Sequence, residues 1–348
     1  MPGTTRRASK TFDTKRAAAS WLAEQRTKLD AGEDLTAKAK IKEQISLGEL
    51  AERYLKKLED SGASPNTLVS TESLLRVRVL TAFGKDTLIK DITEQDIAQW
   101  YGNLYSTYST GSVDTSYATL RTLFRFAVDN YLLAESPCKL RAKKRRTPVV
   151  ADEQVARPEQ VKALYHAIDK RMALAVLLAA WCALRQGEIL ALRRGSFSGL
   201  DSEDPTVTID RQILQKTGEV GPTKNGDPRT ISIPKTVAQA VSEHLDAYCQ
   251  TGDDAWLFPR LDSPGTPLHH NTLRHAWDHA RQAAKMGGFK FHDLRHTGLT
   301  QFARQGATYA ELLHRGGHRD IQVALRYQHW SMERDRELTA RMENLVQV

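Results

Sequence analysis

A mainly α-helical chain with one small β insert is the fold class the sequence predicts, and three features predict it. Between residues 46 and 135, apolar residues recur at helical spacing behind N-terminal caps. Met172–Leu184 is an apolar run free of charge, too short to span a bilayer and suited to a buried helix. Strand-like alternation is confined to a short stretch around residues 206–233. A length of 348 residues leaves room for two or three domains. With 40% apolar and 26% charged residues, the composition is that of a globular, soluble chain.

Residues 1–45 are basic: Arg6, Arg7, Lys10, Lys15 and Arg16 are set against Asp13 alone in the first sixteen positions. Thr11–Lys15 reads as a short strand, and Ala17–Leu29 as a helix carrying Trp21, Leu22 and Leu29. That is little core for an independent domain. The segment is either a frayed tail with one helix or the end of a small DNA-binding module.

At Ser46-Leu47-Gly48-Glu49 a capping box opens a helix with Leu47, Leu50, Ala51, Tyr54, Leu55 and Leu58 on one face. Ser64-Pro65 starts a second helix, with Pro at its first position. Thr93-Glu94-Gln95-Asp96 starts a third, striped by Ile97, Trp100, Tyr101 and Leu104. A fourth carries Tyr117, Leu120, Phe124, Ala127, Val128 and Tyr131. Four helices with short loops predict an all-helical domain over 46–135.

A basic linker follows, 136–156, in which Lys139, Arg141, Lys143, Lys144, Arg145 and Arg146 crowd into eight positions. Such a run is either a solvated connection or a track for a phosphate backbone. Beyond it, Thr206–Ile209, Arg211–Leu214 and Thr230–Ile233 read as strands, and Lys224-Asn225-Gly226-Asp227-Pro228 as the turn of a hairpin between them. Helices are expected over 235–248, 270–285, 293–304 and 320–328.

The chain carries 50 Lys and Arg against 42 Asp and Glu, a net charge of +8 that favours an anionic partner, of which nucleic acid is the commonest. Three cysteines, Cys138, Cys182 and Cys249, without a C-x-x-C pair argue against a disulfide framework or a zinc ribbon and for a reducing compartment. The N-terminus lacks the apolar stretch of a signal peptide, so a cytoplasmic, non-membrane protein is expected.

Chemistry concentrates in the basic C-terminal half. Leu184-Arg185-Gln186-Gly187-Glu188, His292-Asp293-Leu294-Arg295 and Gly317-His318 precede Tyr327, which stands nine residues after His318. Attack on a phosphodiester needs a nucleophile, cations for the non-bridging oxygens and a proton for the leaving oxygen. Arginine binds phosphate bidentately and stays charged. Histidine moves protons near neutral pH, and tyrosine can attack and remain as a covalent carrier. His292 and His296 also lie four apart, a zinc-binding spacing, but no Glu of a zinc protease lies between them and Arg295 would repel a metal. His269, His270, His275 and His279 read as solvated helix residues. Arg185 paired with Glu188 on a helix surface is the bland alternative for that motif.

In order and spacing these motifs resemble the catalytic domain of the tyrosine recombinase (phage integrase) family, and the resemblance runs from residue 46 to about 335. Arg185 matches the family's first catalytic arginine, His292 and Arg295 its H-x-x-R motif, His318 its third-motif histidine and Tyr327 its nucleophile. Lys224, on the rim of the expected Asn-Gly hairpin, matches the catalytic lysine, with Lys216 expected on the same hairpin. The resemblance implies a helical core-site-binding domain over 46–135 and an α+β catalytic domain over 157–348, ending in a segment, 331–345, exchanged between protomers. It implies that 1–45 is a shortened arm-site-binding module or lacks that role. It implies cleavage of DNA attachment sites through a 3′-phosphotyrosine, with Arg185, Arg295 and His318 on the phosphate, Lys224 as acid and His292 as base or orienter. No cofactor, metal or ATP is implied. The implied partners are double-stranded DNA, a homotetramer at synapsis, a DNA-bending host factor and a directionality factor. Departures from the pattern are Ala183 where a Gly is frequent, Ala324 where a Thr is frequent, and Leu313-His314-Arg315-Gly316-Gly317-His318 in place of the more familiar Leu-Leu-Gly-His. A type IB topoisomerase-like enzyme and a decayed DNA-binding regulator are the other two classes that the residues leave open.

Overall fold

The computed structural model describes residues 14–30, 44–140, 154–224, 226–327 and 332–343. The chain divides into two compact units, 1–142 and 143–348.

The first unit opens with helix α1 (Lys15–Asp30), on which Leu22 is 55% exposed. Of the strand expected over Thr11–Lys15, residues 11–13 lie outside the described residues, Thr14 is a bend and Lys15 already belongs to α1. Helices α2 (Leu47–Asp60), α3 (Pro65–Leu74), α4 (Thr81–Phe83), α5 (Glu94–Leu104) and α6 (Thr110–Asp129) follow. Their caps are largely those read from the sequence. Ser46 accepts from the Glu49 amide, Ser64 from Thr67, and Thr93 and Asp96 cap each other reciprocally. The box at Ser46 is only half formed, because the Glu49 carboxylate pairs with Arg53 one turn on at 2.6 Å. The second expected helix does not stop at Leu74. It runs through a π-helical stretch, Leu75–Leu80, into α4, which seats Leu75 and Val79 in the core. Leu47, Leu50, Ile97, Leu120, Leu123 and Phe124 complete that core. Tyr131, expected on the α6 stripe, instead follows the helix at φ 61° and is 49% exposed. The Tyr117 hydroxyl donates to the Leu140 carbonyl at 3.0 Å, so ordered packing reaches that residue.

The second unit is built around α8 (Ala173–Trp181), the buried apolar run, preceded by α7 (Pro158–Ala167) and followed by the short α9 (Gln186–Leu190). Strands β1 (Phe197–Ser198), β2 (Thr206–Ile209) and β5 (Arg229–Ser232) form one antiparallel sheet in which Val207 pairs with Ile231. Strands β3 (Arg211–Ile213) and β4 (Val220–Pro222) form a separate hairpin that turns at residues 214–219. The Asn-Gly segment is therefore not a hairpin turn. It connects β4 to β5 across two sheets, and Gly226 takes φ 82° there.

Helices α10 (Lys235–Tyr248), α11 (His270–Ala283), α12 (Phe291–Arg304), α13 (Tyr309–Gly316), α14 (Ile321–Ala324) and α15 (Met332–Glu343) complete the unit. The helix expected over 320–328 ends at Ala324, and Tyr327 sits in the turn that follows. His270 is buried rather than solvated, with Nε2 2.9 Å from the Ile213 carbonyl. Helix α12 lies against α8 at close range, because a Cβ on Gly298 would come within 2.5 Å of the Ala180 carbonyl oxygen. Thr297 on the same helix accepts from the Ala156 amide at 2.9 Å and so fixes the entry of the unit to α12. Among the described residues no helix is long and apolar enough to cross a membrane.

Candidate active site

The turn between α8 and α9 sets the first arginine. Ala183, fully buried, adopts φ 58°, and the chain then reverses so that Arg185 precedes the first turn of α9. The Glu188 carboxylate accepts from the Arg185 amide at 2.9 Å and from Arg185 Nη1 at 2.7 Å. Arg185 Nη2 reaches the Gly317 carbonyl at 3.1 Å, 132 residues away in sequence. The Arg185–Glu188 pair is thus no surface contact. Glu188 is fully buried and also accepts from Arg229 Nη1 at 3.1 Å and Arg229 Nη2 at 2.8 Å. Arg295 Nη1 lies 3.9 Å from the same carboxylate. Burial by itself would raise the Glu188 carboxyl. The hydrogen bonds and charge of Arg229, then the charges of Arg295 and Arg185, outweigh it and hold it at about 2.

Arg295 is 1% exposed and spends its guanidinium on backbone oxygens. Nη1 donates to the Ala183 carbonyl at 2.5 Å and Nη2 to the Gly316 carbonyl. Nη2 also lies 2.9 Å from His318 Nε2. A guanidinium can only donate, so Nε2 is the acceptor and the His318 proton sits on Nδ1. Desolvation, then Arg295, Arg185 and Arg229, push the His318 imidazole down to about 3, leaving it neutral. Desolvation and Arg185 likewise lower Arg295 to about 9, which still leaves it charged at neutral pH.

Helix α13 presents His318 through a double glycine. Gly317 caps the helix at φ 55°, its amide donating to the His314 carbonyl and the His318 amide to the Leu313 carbonyl. A Cβ on Gly317 would lie 2.8 Å from Arg229 Nη1, and one on Gly316 2.7 Å from His318 Nδ1. The departure from the usual ending is therefore accommodated by close backbone packing around the arginines.

Tyr327 is 3% exposed and packs with Ala183, Leu299, Leu312 and Ala324. Its hydroxyl lies 3.0 Å from Nδ1 of His296, itself 7% exposed. Burial raises the phenol pKa, and Arg295, Arg326 and Arg185 partly offset the rise. The His292 ring meets the His296 ring edge-on with centroids 4.8 Å apart. His292 as a whole is solvent-exposed, yet desolvation of its imidazole, followed by Arg295, Arg185, Arg326 and Lys224, holds it near 4.

Arg185, Glu188, Arg295, His318 and Tyr327 thus share one locus with Arg229 and His296. Lys224 is exposed beside it on the β4–β5 connection and makes no hydrogen bond or ion pair among the described residues. That connection is tied at Asp227, which pairs with Arg319 at 2.6 Å, next to His318. A cleft of about 160 Å³ is lined by Arg185, Thr223, Arg229, Gly317, His318 and Arg319 among others, and Tyr327 is not part of its lining. Of the linker cations, Lys139 is exposed and pairs with Glu135. Arg141, Lys143, Lys144, Arg145 and Arg146 lie outside the described residues.

Sequence reasoning missed Arg229, although a signal was present. It falls in phase with Ile231 on the inward side of an alternating strand, where only a paired charge survives. His296 was weighed as a metal ligand, whereas its Nδ1 faces the Tyr327 hydroxyl.

Residues 154–334 match the model of the phage integrase family. The phiRv2 prophage integrase of Mycobacterium tuberculosis H37Rv is 32% identical over 98% of this chain and 89% of its own length. The integrase of Mycobacterium phage D29 is 28% identical over 96% of this chain and 89% of its own length. The Tn1549 transposon integrase, solved with a circular intermediate DNA, superposes with a TM-score of 0.67 at 18% identity, covering 85% of this chain and 99% of that one. The lambda integrase, solved as a tetramer on a Holliday junction, gives 0.61 at 18% identity, covering 91% and 90%. Matched by the family model over more than half its length and by relatives along nearly all of it, the chain belongs to the phage integrase family and is a site-specific tyrosine recombinase.

Proposed function

We propose that Tyr327 is the nucleophile of this recombinase and that Arg185, Arg295 and His318, with Arg229 behind them, receive the scissile phosphate of a duplex attachment site. One observation carries the reading: three guanidinium groups surround one buried carboxylate, that of Glu188. The excess positive charge is held in a desolvated place by backbone carbonyls and one acid, so it is preorganised for an anion. Tyr327 is packed against the same turn, through Ala183.

In this reading the phenol attacks phosphorus in line, a 3′-phosphotyrosyl bond forms, and Lys224 protonates the departing 5′ oxygen. His292, exposed in the first turn of α12, orients the substrate. A 5′-hydroxyl from the partner strand reverses the step with strands exchanged. The bond energy stays in the covalent intermediate, so neither ATP nor a metal is called for. Two duplexes require four protomers at synapsis. The helical segment 46–135 and the catalytic segment from 157 grip the duplex, with the linker cations along its backbone. Helix α15 is the exchanging element. A DNA-bending host factor, a directionality factor and a site of action in the bacterial cytoplasm belong to the same reading.

The test is Tyr327→Phe on host and phage DNA fragments, with covalent attachment points mapped by sequencing in the wild type. The variant is expected to retain core-site binding and to form no protein–DNA adduct. An adduct from the Phe variant means that another residue is the nucleophile.

A further inference from the structure

The buried hydroxyl of Tyr327 has lost water and must find a partner inside the protein. Among the described residues its hydrogen-bond partner is His296, at 3.0 Å through Nδ1, with the two rings inclined by 35°. The groups nearby are otherwise ill-suited to take a proton. Arg185, Arg295 and Arg326 have no lone pair to offer. Glu188 is saturated by its arginines. Asp293 accepts from the Lys290 amide at the start of α12. His292 meets His296 ring to ring, and no hydrogen bond joins it to the phenol.

From this geometry we propose that His296 is a further catalytic residue, which aligns the Tyr327 phenol and accepts its proton during attack. The proposal rests on the reading of Tyr327 as nucleophile. As the bond from Tyr327 Oη to phosphorus forms and the bond from phosphorus to the 5′ oxygen breaks, the phenol proton passes to His296 Nδ1 and Lys224 supplies one to the 5′ oxygen. On ligation both protons return. In the unliganded protein desolvation, then His292, Arg326 and Arg295, hold the His296 imidazole down at about 3. The ring is therefore neutral and able to accept throughout the neutral range. A phosphate bound to Arg185 and Arg295 supplies the negative charge that favours the imidazolium at the moment of transfer.

The experiment compares wild type with His296→Asn and His296→Gln. The readout is the rate of covalent trapping on a nicked duplex carrying the mapped core site, followed from pH 6 to 9. Asn sets an amide where Nδ1 lies and can hold the phenol, but neither variant can take a proton. Both are expected to trap about 10²-fold more slowly at pH 7, within the range for a positioned base, and to gain about tenfold per pH unit. Core-site affinity stays at the wild-type value, and trapping is compared at a temperature where both variants are folded. A substrate with sulfur at the bridging 5′ position, which needs no leaving-group proton, does not rescue them. If either folded variant traps within threefold of wild type at pH 7, or the sulfur substrate restores it, His296 is not the acceptor. Failure of this proposal leaves Tyr327→Phe inactive, whereas failure of the underlying reading leaves Tyr327→Phe able to form the adduct.

Discussion

Glu188 shows how one side chain can organise a cationic site without neutralising it. Removed from water, a carboxylate is costly unless paired and hydrogen-bonded, and here Arg185 and Arg229 supply both. Ala183 is a smaller case. A non-glycine residue at positive φ costs about 1–2 kcal/mol. Its buried methyl returns roughly 0.8 kcal/mol, and glycine would bring its own loss of roughly 0.5–1 kcal/mol in chain entropy. The substitution from the family's more frequent glycine is close to neutral on that basis. Lys224 is decided at the same scale. An alkoxide is a poor leaving group, so Lys224→Ala is expected to slow cleavage by about 10²–10⁴-fold with core-site affinity little changed. A bridging 5′ sulfur should restore most of the rate. If the sulfur substrate gives no rescue, the lysine binds or positions DNA, and Lys216, in the β3–β4 turn, becomes the candidate acid.

At the scale of elements, the C-terminal cap of α13 joins two of the catalytic motifs. Gly317 sits at φ 55°, gives its carbonyl to Arg185 and leaves no room for a Cβ beside Arg229. Gly317→Ala therefore adds left-handed strain of about 1–2 kcal/mol and also pushes on Arg229. Thermal unfolding should register a loss of at least that strain, and covalent trapping should fall further than core-site affinity does. A variant with wild-type melting and trapping would mean that the cap does not hold the arginines. Helix α12 works similarly. Its contact with α8 at Gly298 brings the buried Arg295 beneath the Ala183 carbonyl.

For the molecule as a whole, the buried charges make stability depend on pH, and the signs follow from the shifts. His296 and His318 fall from 6.5 to about 3 on folding. The unfolded chain takes up their protons below pH 6.5 and the folded protein refuses them. Stability thus falls as pH drops from 6.5 towards 3, by up to about 1.4 kcal/mol per pH unit for each histidine. Glu188 falls from 4.5 to about 2. Its contribution, about 3 kcal/mol, is complete above pH 4.5 and is lost as pH falls through 2. The melting temperature is accordingly expected to decline from pH 6.5 downward and more steeply below 4.5, as calorimetry over pH 7 to 4 would show. A melting temperature level from pH 7 to 5 would mean that these histidines are not held neutral.

By itself the sequence determined the helical fold class, most caps, the family, and the positions of Arg185, His292, Arg295, His318 and Tyr327 within ordered motifs. These are legible because caps, periodicity and motif spacing are local properties of the chain. It did not reveal that α3 continues through a π-helical stretch, because that register is set by seating Leu75 and Val79 in a core supplied by distant helices. Nor did it reveal that the Asn-Gly segment links two sheets, since a turn signal does not name the strands that pair. The burial of Glu188, the place of Arg229 beside it and the bond from His296 to Tyr327 were decided by tertiary structure alone. Each brings together groups 31 or more residues apart, or depends on water being excluded by the rest of the fold. Whether a charge or a phenol is solvated or held is a property of that enclosure, and no local pattern encodes it.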